Sequence, residues 1–303
     1  MRIGVAATPA VALPSLNWLL DSEHDLVTTI SVPDKPAGRG RVLTPSLVAQ
    51  WSQEHGITCL KPSHSNELIG QIEDLDLVIT IGYGVILPEK ILSLPKHGFI
   101  NLHFSLLPKY RGAAPVQRAL AHGESVTGVT VFALDKGMDT GPIFVSRSVE
   151  IDPTWRAGEL LEVLSQMGPK ALADTCAMIQ RNESPKIQSG ESSLAPKISV
   201  EEAQLDFNSS ARAISNNVRA FYPSPSAWTL FRGEKMKISR AGNMLTSSDL
   251  ESGEIRVDAN SVTVGCAKNE SIEIVELIPA GKNEMKASDW ARGARILPGE
   301  FFG

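Results

Sequence analysis

The sequence predicts an α/β chain in which a doubly wound, mostly parallel sheet is followed by a small β-barrel. Three observations carry this. Up to about Phe144, short apolar runs that read as strands alternate with helix-like stretches, the pattern of βα units around a parallel sheet. From Leu205 onward, five short segments alternate polar and apolar residues between turns: Ser226–Phe231, Glu234–Arg240, Gly253–Val257, Ser261–Gly265 and Ser271–Leu277. Between the two regions, residues 182–204 are rich in Ser, Pro, Glu and Lys and poor in large apolar side chains, the composition of a linker. With 303 residues the chain exceeds the usual single-domain size. Two domains, 1–181 and 205–303, are the expectation.

The first strand is Arg2–Ala6, ended by Thr8-Pro9 ahead of a helix over Ala10–Leu20. Pro9, Pro14 and Asn17 interrupt this apolar start and no small-x-small cleavage site follows, so it reads as part of the mature fold and not as a secretory signal. The next strand is Asp25–Val32, and no later segment reaches the roughly 18 uninterrupted apolar residues of a membrane span. A cytoplasmic chain with no membrane contact is expected. The first turn, Ala6-Ala7-Thr8-Pro9, lacks G-x-G-x-x-G, so the dinucleotide fingerprint is absent where it belongs. Residues 32–46, VPDKPAGRGRVLTPS, carry too much Pro and Gly for regular structure and set Lys35, Arg39 and Arg41 against Asp34.

A helix near Pro45–Glu54 and a strand near Ile57–Leu60 lead to the buried strand Leu75–Ile81, which opens into GYGVILP, Gly82–Pro88. The two glycines there permit close backbone approach to a ligand. A helix over Arg156–Arg181 carries an apolar stripe that reads as core, and further helices follow at Ser209–Arg219 and Ser288–Arg295. Cys59, Cys176 and Cys266 are odd in number and show no C-x-x-C spacing, which fits a reducing compartment without structural zinc. A net charge of -5 does not advertise a nucleic-acid binder. Between Phe207 and Ser248, however, Arg212, Arg219, Arg232, Lys235, Lys237 and Arg240 face a single acid, Glu234. Such a local excess is what phosphate contact requires, and it makes Arg232, Lys235 and Lys237 candidate contacts.

The centre of the chain is Phe99–Pro142. Phe99–Phe104 reads as a strand that turns Asn101 and His103 to one face and Leu102 and Phe104 to the other. Thr127–Leu134 reads as its neighbour, ending in the Asp135–Gly141 turn that holds Asp139. Ligands in open α/β sheets sit beyond strand carboxyl ends, and Asn101, His103 and Asp139 are expected to meet there. Taken singly, such residues more often cap turns. Together they suit acyl transfer. An amide and a protonated imidazole donate to a developing oxyanion, and a carboxylate raises the imidazole pKa and helps move the proton of an attacking amine. No G-x-S-x-G elbow and no cysteine lies in this stretch, so direct attack by an amine fits better than a covalent intermediate.

N-x-H-x-S-L-L-P followed by a D-T-G turn resembles the folate-dependent formyltransferases, and the longer SLLPKYRGAAPVQ is similar to the branch that acts on methionyl-tRNA. The resemblance implies a formyltransferase catalytic domain over 1–181 and an OB-like tRNA-binding domain over 205–303. It implies Asn101, His103 and Asp139 as catalytic residues, 10-formyltetrahydrofolate as co-substrate, no metal, initiator methionyl-tRNA as partner, and a monomer. Val85, Ile86 and Leu87 would line the pterin pocket, with Ser105, Leu106, Leu107 and Pro108 also touching the co-substrate. The PAGRG loop would approach the acceptor stem through Arg39, with Lys35 and Arg41 on phosphates, and A-P-K-I around Lys197 would pack the linker back. One departure is Ala7, where the family usually carries a glycine. Two rivals are the same chemistry on an amino sugar, which R-G-A-A-P and the basic segments argue against, and a noncatalytic RNA binder, which the three retained residues argue against.

Overall fold

The computed structural model describes residues 1–37 and 42–303. The chain divides into two compact units: Met1–Pro115, Val126–Glu150 and Leu161–Pro196 form one, and Val116–Ser125, Ile151–Leu160 and Lys197–Gly303 the other.

The first unit is built on a seven-stranded sheet of β1 (Arg2–Ala7), β2 (Asp25–Ile30), β5 (Thr58–Leu60), β6 (Leu77–Ile81), β7 (Phe99–His103), β8 (Val126–Ala133) and β9 (Ile143–Glu150), in the order β5-β2-β1-β6-β7-β8-β9. Strands β5 to β7 along that order are parallel, β8 runs antiparallel to β7, and β9, antiparallel to β8, returns to the first direction. Every residue of β6 is buried, as a central parallel strand covered on both faces requires. The chain leaves β1 on one side for β2 and returns on the other at β6, so the order reverses between β1 and β6, where open α/β sheets bind ligands. Ala7 closes β1 opposite Ile81 without a left-handed φ, so the turn here makes no demand for glycine. Gly82 does meet one: at φ 57° its missing Cβ would stand 2.8 Å from Pro9 Cγ.

Helix α1 (Leu13–Asp21) carries Pro14 in its first turn, where no N–H is needed, and α2 (Leu47–Glu54) is capped by Ser46, whose Oγ accepts from Ala49 N at 3.1 Å. Helices α3 (Glu89–Leu92), α4 (Pro115–Ala121) and α5 (Ala157–Gln180) follow. Leu102 of β7 lies against Gly168 of α5, which makes that face of the strand core and leaves the Asn101 and His103 face for the site.

Two expectations need correction. Residues 32–46 are not wholly irregular: β3 (Lys35–Ala37) and β4 (Val42–Thr44) pair as an antiparallel ribbon with Pro36 opposite Leu43. A two-stranded ribbon is all edge, so a strand proline costs it no interior hydrogen bond. Arg39 and Arg41 lie outside the described residues. The second correction concerns β8, whose carboxyl end points away from that of β7, since Ala133 pairs with Ile100 and Thr130 with His103. Asp139, in the turn that follows, nonetheless meets His103, its Oδ2 lying 3.6 Å from Nδ1.

In the second unit, β10 (Trp228–Phe231), β11 (Glu234–Leu245), β12 (Ile255–Val257), β13 (Val262–Cys266) and β14 (Glu270–Ile278) form an antiparallel sheet in the order β10-β11-β14-β13-β12, and β15 (Met285–Lys286) adds to β14. The five expected strands are all present. Strand β11 runs five residues past its expected end because it bulges around Arg240 and Ala241, which breaks the polar/apolar alternation. Phe302 bridges to Phe231 of β10 and Phe301 to Glu254 beside β12, so the last residues span the open edge of the sheet. Helix α6 (Ala211–Phe221) packs on β11 and β14, and α7 (Ala287–Ala294) on β14 and β15. Phe302 is buried and stacks on Phe207 and Trp290 while meeting Phe231 edge-on. Phe302→Ala should cost about 3–5 kcal/mol, the usual loss for a buried aromatic. Denaturant unfolding followed by tryptophan fluorescence would check this, and a loss below about 1 kcal/mol would deny the residue its closing role.

Candidate active site

Asn101 and His103 project from the same face of β7, with Phe132 and Thr130 of β8 as their cross-strand partners. Thr80, the partner of Asn101 on β6, donates its hydroxyl to Asn101 Oδ1 at 2.8 Å. That bond fixes the amide so that its two N–H donors remain for the site.

His103 is buried, 6% exposed, with its ring edge-on to Phe132. Its Nε2 lies 2.9 Å from the Tyr110 carbonyl, and a carbonyl only accepts, so Nε2 carries a hydrogen. Its Nδ1 faces Asp139 Oδ2 at 3.6 Å. Burial pushes the His103 pKa below its ordinary 6.5, and this outweighs the Asp139 carboxylate and the Tyr110 carbonyl, which both pull it up. The carboxylate raises the imidazole pKa as expected, but desolvation is the larger influence. The resting imidazole is neutral, with a lone pair on Nδ1 directed toward Asp139.

Asp139 sits at φ 54°, a left-handed conformation that asparagine and aspartate tolerate better than other side chains. Asp135 shapes the turn by accepting from Gly137 N at 2.9 Å and Thr140 Oγ1 at 2.7 Å. Asp139 Oδ2 itself accepts from Gly112 N at 2.7 Å. Gly112 has φ 122°, and a Cβ there would stand 2.9 Å from the Ala195 carbonyl oxygen, so the R-G-A-A-P loop can deliver this N–H only as glycine.

The remaining candidates are placed unevenly. Ser105 is buried and its hydroxyl donates to the Lys109 carbonyl at 2.7 Å, while its own carbonyl accepts from Thr130 Oγ1. Its side chain is thus committed to shaping the 105–108 turn. Leu107 is buried; Leu106 and Pro108 are partly exposed. The 82–88 segment leaves β6 at the end where β7 delivers Asn101 and His103, since Thr80 pairs with Asn101. Ile86 is 94% and Val85 42% exposed, whereas Leu87 packs in the core cluster with Tyr83. Lys35 is exposed on β3.

In the second unit the basic excess shrinks on folding. Arg232 pairs with Glu300 at 2.7 Å, Arg240 with Glu276 at 3.1 Å, and Arg219 donates to Trp155 and Asn216. Lys235 holds its ammonium 3.8 Å from the centroid of the Trp228 ring, and Lys237 is half-buried. Among the described residues, no group of three or more His, Cys, Asp or Glu is placed to hold a metal ion, and no helix is long and apolar enough to cross a membrane. Thr80 and Gln188 contribute to the site with no signal in the sequence, whereas Gly112 belongs to the R-G-A-A-P motif.

Two family models match the chain. One described as formyl transferase matches residues 1–176, and one described as formyl transferase, C-terminal domain, matches residues 197–295. A methionyl-tRNA formyltransferase from Salinispora tropica is 41% identical over 307 residues, covering 99% of each chain. An N-formyltransferase from Helicobacter canadensis, solved with folinic acid and dTDP-3-aminofucose, has a TM-score of 0.68 at 17% identity, covering 90% of this chain and 98% of its own. HypX from Aquifex aeolicus in complex with tetrahydrofolic acid has a TM-score of 0.63 at 14% identity over 96% of this chain, which spans about half (47%) of that longer protein. At such identities these two structures speak for the fold alone.

The His103 balance is measurable. In a histidine-labelled protein followed by NMR, His103 should titrate below 6.5, and lower still in Asp139→Asn, where the nearest upward influence is gone. As pH falls from 6.5 toward that lower native value, the unfolded chain takes up the proton first, so this residue's contribution to stability is lost on acidification. A value at or above 6.5 in the wild-type protein would refute the dominance of burial.

Proposed function

The chain belongs to the methionyl-tRNA formyltransferase family, and from that premise we propose that it transfers a formyl group from 10-formyltetrahydrofolate to the free amino group of methionine carried on initiator tRNA. The observation that supports the mechanism is the buried His103–Asp139 pair, with Asn101 on the same face of β7 as His103.

The residues beside the site suit a folate. Exposed Val85 and Ile86 offer apolar surface to a pterin next to Gly84, where added side-chain volume would meet nothing within 4 Å. When bound, the co-substrate supplies the formyl carbon and the leaving nitrogen. Asn101 directs its amide hydrogens at the acyl oxygen, where negative charge gathers under amine attack. The Nδ1 lone pair of His103 takes the proton that the attacking amine must lose, and the Asp139 carboxylate stabilises the imidazolium so formed. Once charged, His103 answers the negative acyl oxygen with its positive charge, since Tyr110 holds Nε2–H, and its Nδ1 returns the proton to the leaving nitrogen. Asp139 therefore handles the proton through His103, held in place by Gly112.

Residues 1–181 would carry the chemistry and 205–303, after the 182–204 connection, would contact tRNA. Lys35 on its ribbon, with Arg39 and Arg41, and Lys235 with Lys237 are the phosphate contacts that fit best; Arg232 would first have to leave Glu300. A monomeric, cytoplasmic enzyme is consistent with this reading.

The test is formyl transfer to methionyl initiator tRNA, run beside free methionine and a panel of amino sugars. Transfer confined to the charged tRNA is expected; formylation of a sugar would overturn the partner, and no transfer to any acceptor would overturn the reaction. Asn101→Ala should lower kcat about 10²- to 10³-fold, as loss of an oxyanion donor does. Asp139→Asn should lower it about 10²- to 10⁴-fold with the thermal midpoint little changed, and near-normal turnover would remove Asp139 from the proton path.

A further inference from the structure

Gln188 lies in the polar stretch that composition marks as linker, yet its side-chain amide is engaged at both ends inside the first unit. Nε2 donates to the Asp139 carbonyl at 2.8 Å and to the Gly141 carbonyl at 2.9 Å. Oε1 accepts from Arg111 Nη2 at 2.6 Å and Arg111 Nε at 3.2 Å. Two donors and two acceptor positions are filled, so the amide has one orientation only: oxygen to Arg111, nitrogen to the turn. Backbone pairing fixes the segment on either side. Lys186 and Ile143 exchange both of their hydrogen bonds, Arg111 N donates to the Ser193 carbonyl at 2.8 Å, and Ala195 N donates to the Arg111 carbonyl at 2.6 Å.

These contacts close a loop of interactions. Arg111 precedes Gly112, whose N–H holds Asp139 Oδ2, and Gln188 holds both Arg111 and the backbone of Asp139. We propose that Gln188 is a positioning residue for the formyl transfer: it locks the left-handed Asp139 turn to the Arg111–Gly112 loop and so sets the distance from Asp139 to His103. The inference rests on the formyltransferase reading above and extends it to a residue outside the catalytic trio.

The bond pattern supplies a discriminating variant. Gln188→Glu keeps the size and strengthens the contact to Arg111, so it keeps the segment docked, but it puts a carboxylate oxygen against two carbonyl oxygens that need a donor. If Gln188 only fastened the segment, Gln188→Glu would behave as wild type. If it positions the Asp139 turn, both Gln188→Glu and Gln188→Ala lose turnover, by about 10²-fold for a displacement near 1 Å, with KM for either substrate little changed. Because the effect passes through Asp139, Gln188→Ala should lower kcat no further in an Asp139→Asn background. A multiplicative loss there would overturn the proposal.

A second readout uses no substrate. Asp139 is the charged group that acts on His103, from the turn Gln188 holds; Tyr110 offers it a carbonyl and Phe132 a ring edge. Loosening that turn should move the His103 NMR titration in Gln188→Ala to lower pH, toward the Asp139→Asn value. An unmoved titration would overturn the proposal even if activity fell. A wild-type protein that transfers no formyl group would overturn the assigned reaction alone, since the titration still reports whether Gln188 places Asp139.

Discussion

The site depends on a single imbalance, a buried imidazole whose desolvation outweighs the carboxylate beside it. Taking His103 out of water disfavours its charged form, and Asp139 at 3.6 Å restores only part of what burial removes. An exposed pair would rest as an ion pair with its proton already in place. The buried pair rests without it. His103 is therefore a base that accepts a proton only when an attacking nitrogen delivers one, and Asp139 lowers the cost of the charge at that moment. Tyr110 fixes which nitrogen is free by occupying the other, so the tautomer follows from the backbone and not from a second side chain.

Asp139 reaches His103 from the turn after a strand whose end lies away from the site. Strand β8 runs antiparallel to β7, so its end lies beside Ile100. Within that turn Asp139 sits in the left-handed region, a cost of about 1–2 kcal/mol for most side chains and less for aspartate. Backbone held in such a conformation persists where its surroundings over-determine it. Here those surroundings are Gly112 on the carboxylate, Gln188 on the carbonyls and Asp135 within the turn. Each bond is modest; together they leave the turn one arrangement.

What was legible in the sequence follows from this division. Local patterns identified β6 from its continuous apolar run and placed Asn101 and His103 on one face of β7, because strand alternation is a short-range property. The five barrel strands were legible for the same reason. Strand direction was not, since an apolar run reads alike parallel or antiparallel, and β8 was expected to bring its carboxyl end to the site. Composition hid the β3–β4 ribbon and the docking of 182–196. Polar, proline-bearing chain reads as linker whether or not its backbone pairs elsewhere, and Gln188 finds its partners 77 and 49 residues away. The balance at His103 was half legible: the motif displays the carboxylate that raises its pKa but not the burial that outweighs it.

Charge shows the same limit. Six basic residues against one acid within a window of sequence assumes that neighbours in the chain are neighbours in space. Sheet register decides otherwise: β11 pairs with β14, so Arg240 stands opposite Glu276, and Arg232 meets Glu300 near the C-terminus. A guanidinium already held by a carboxylate gains little from a phosphate, because the attraction to nucleic acid comes from charges not otherwise neutralised and the counterions they release. Lys235 and Lys237 lie two apart on β11 and so share one face of the strand, with Lys235 steadied over the indole of Trp228. The basic character that matters for an RNA backbone is therefore narrower than the sequence count, and it is carried by strand alternation more than by the number of arginines.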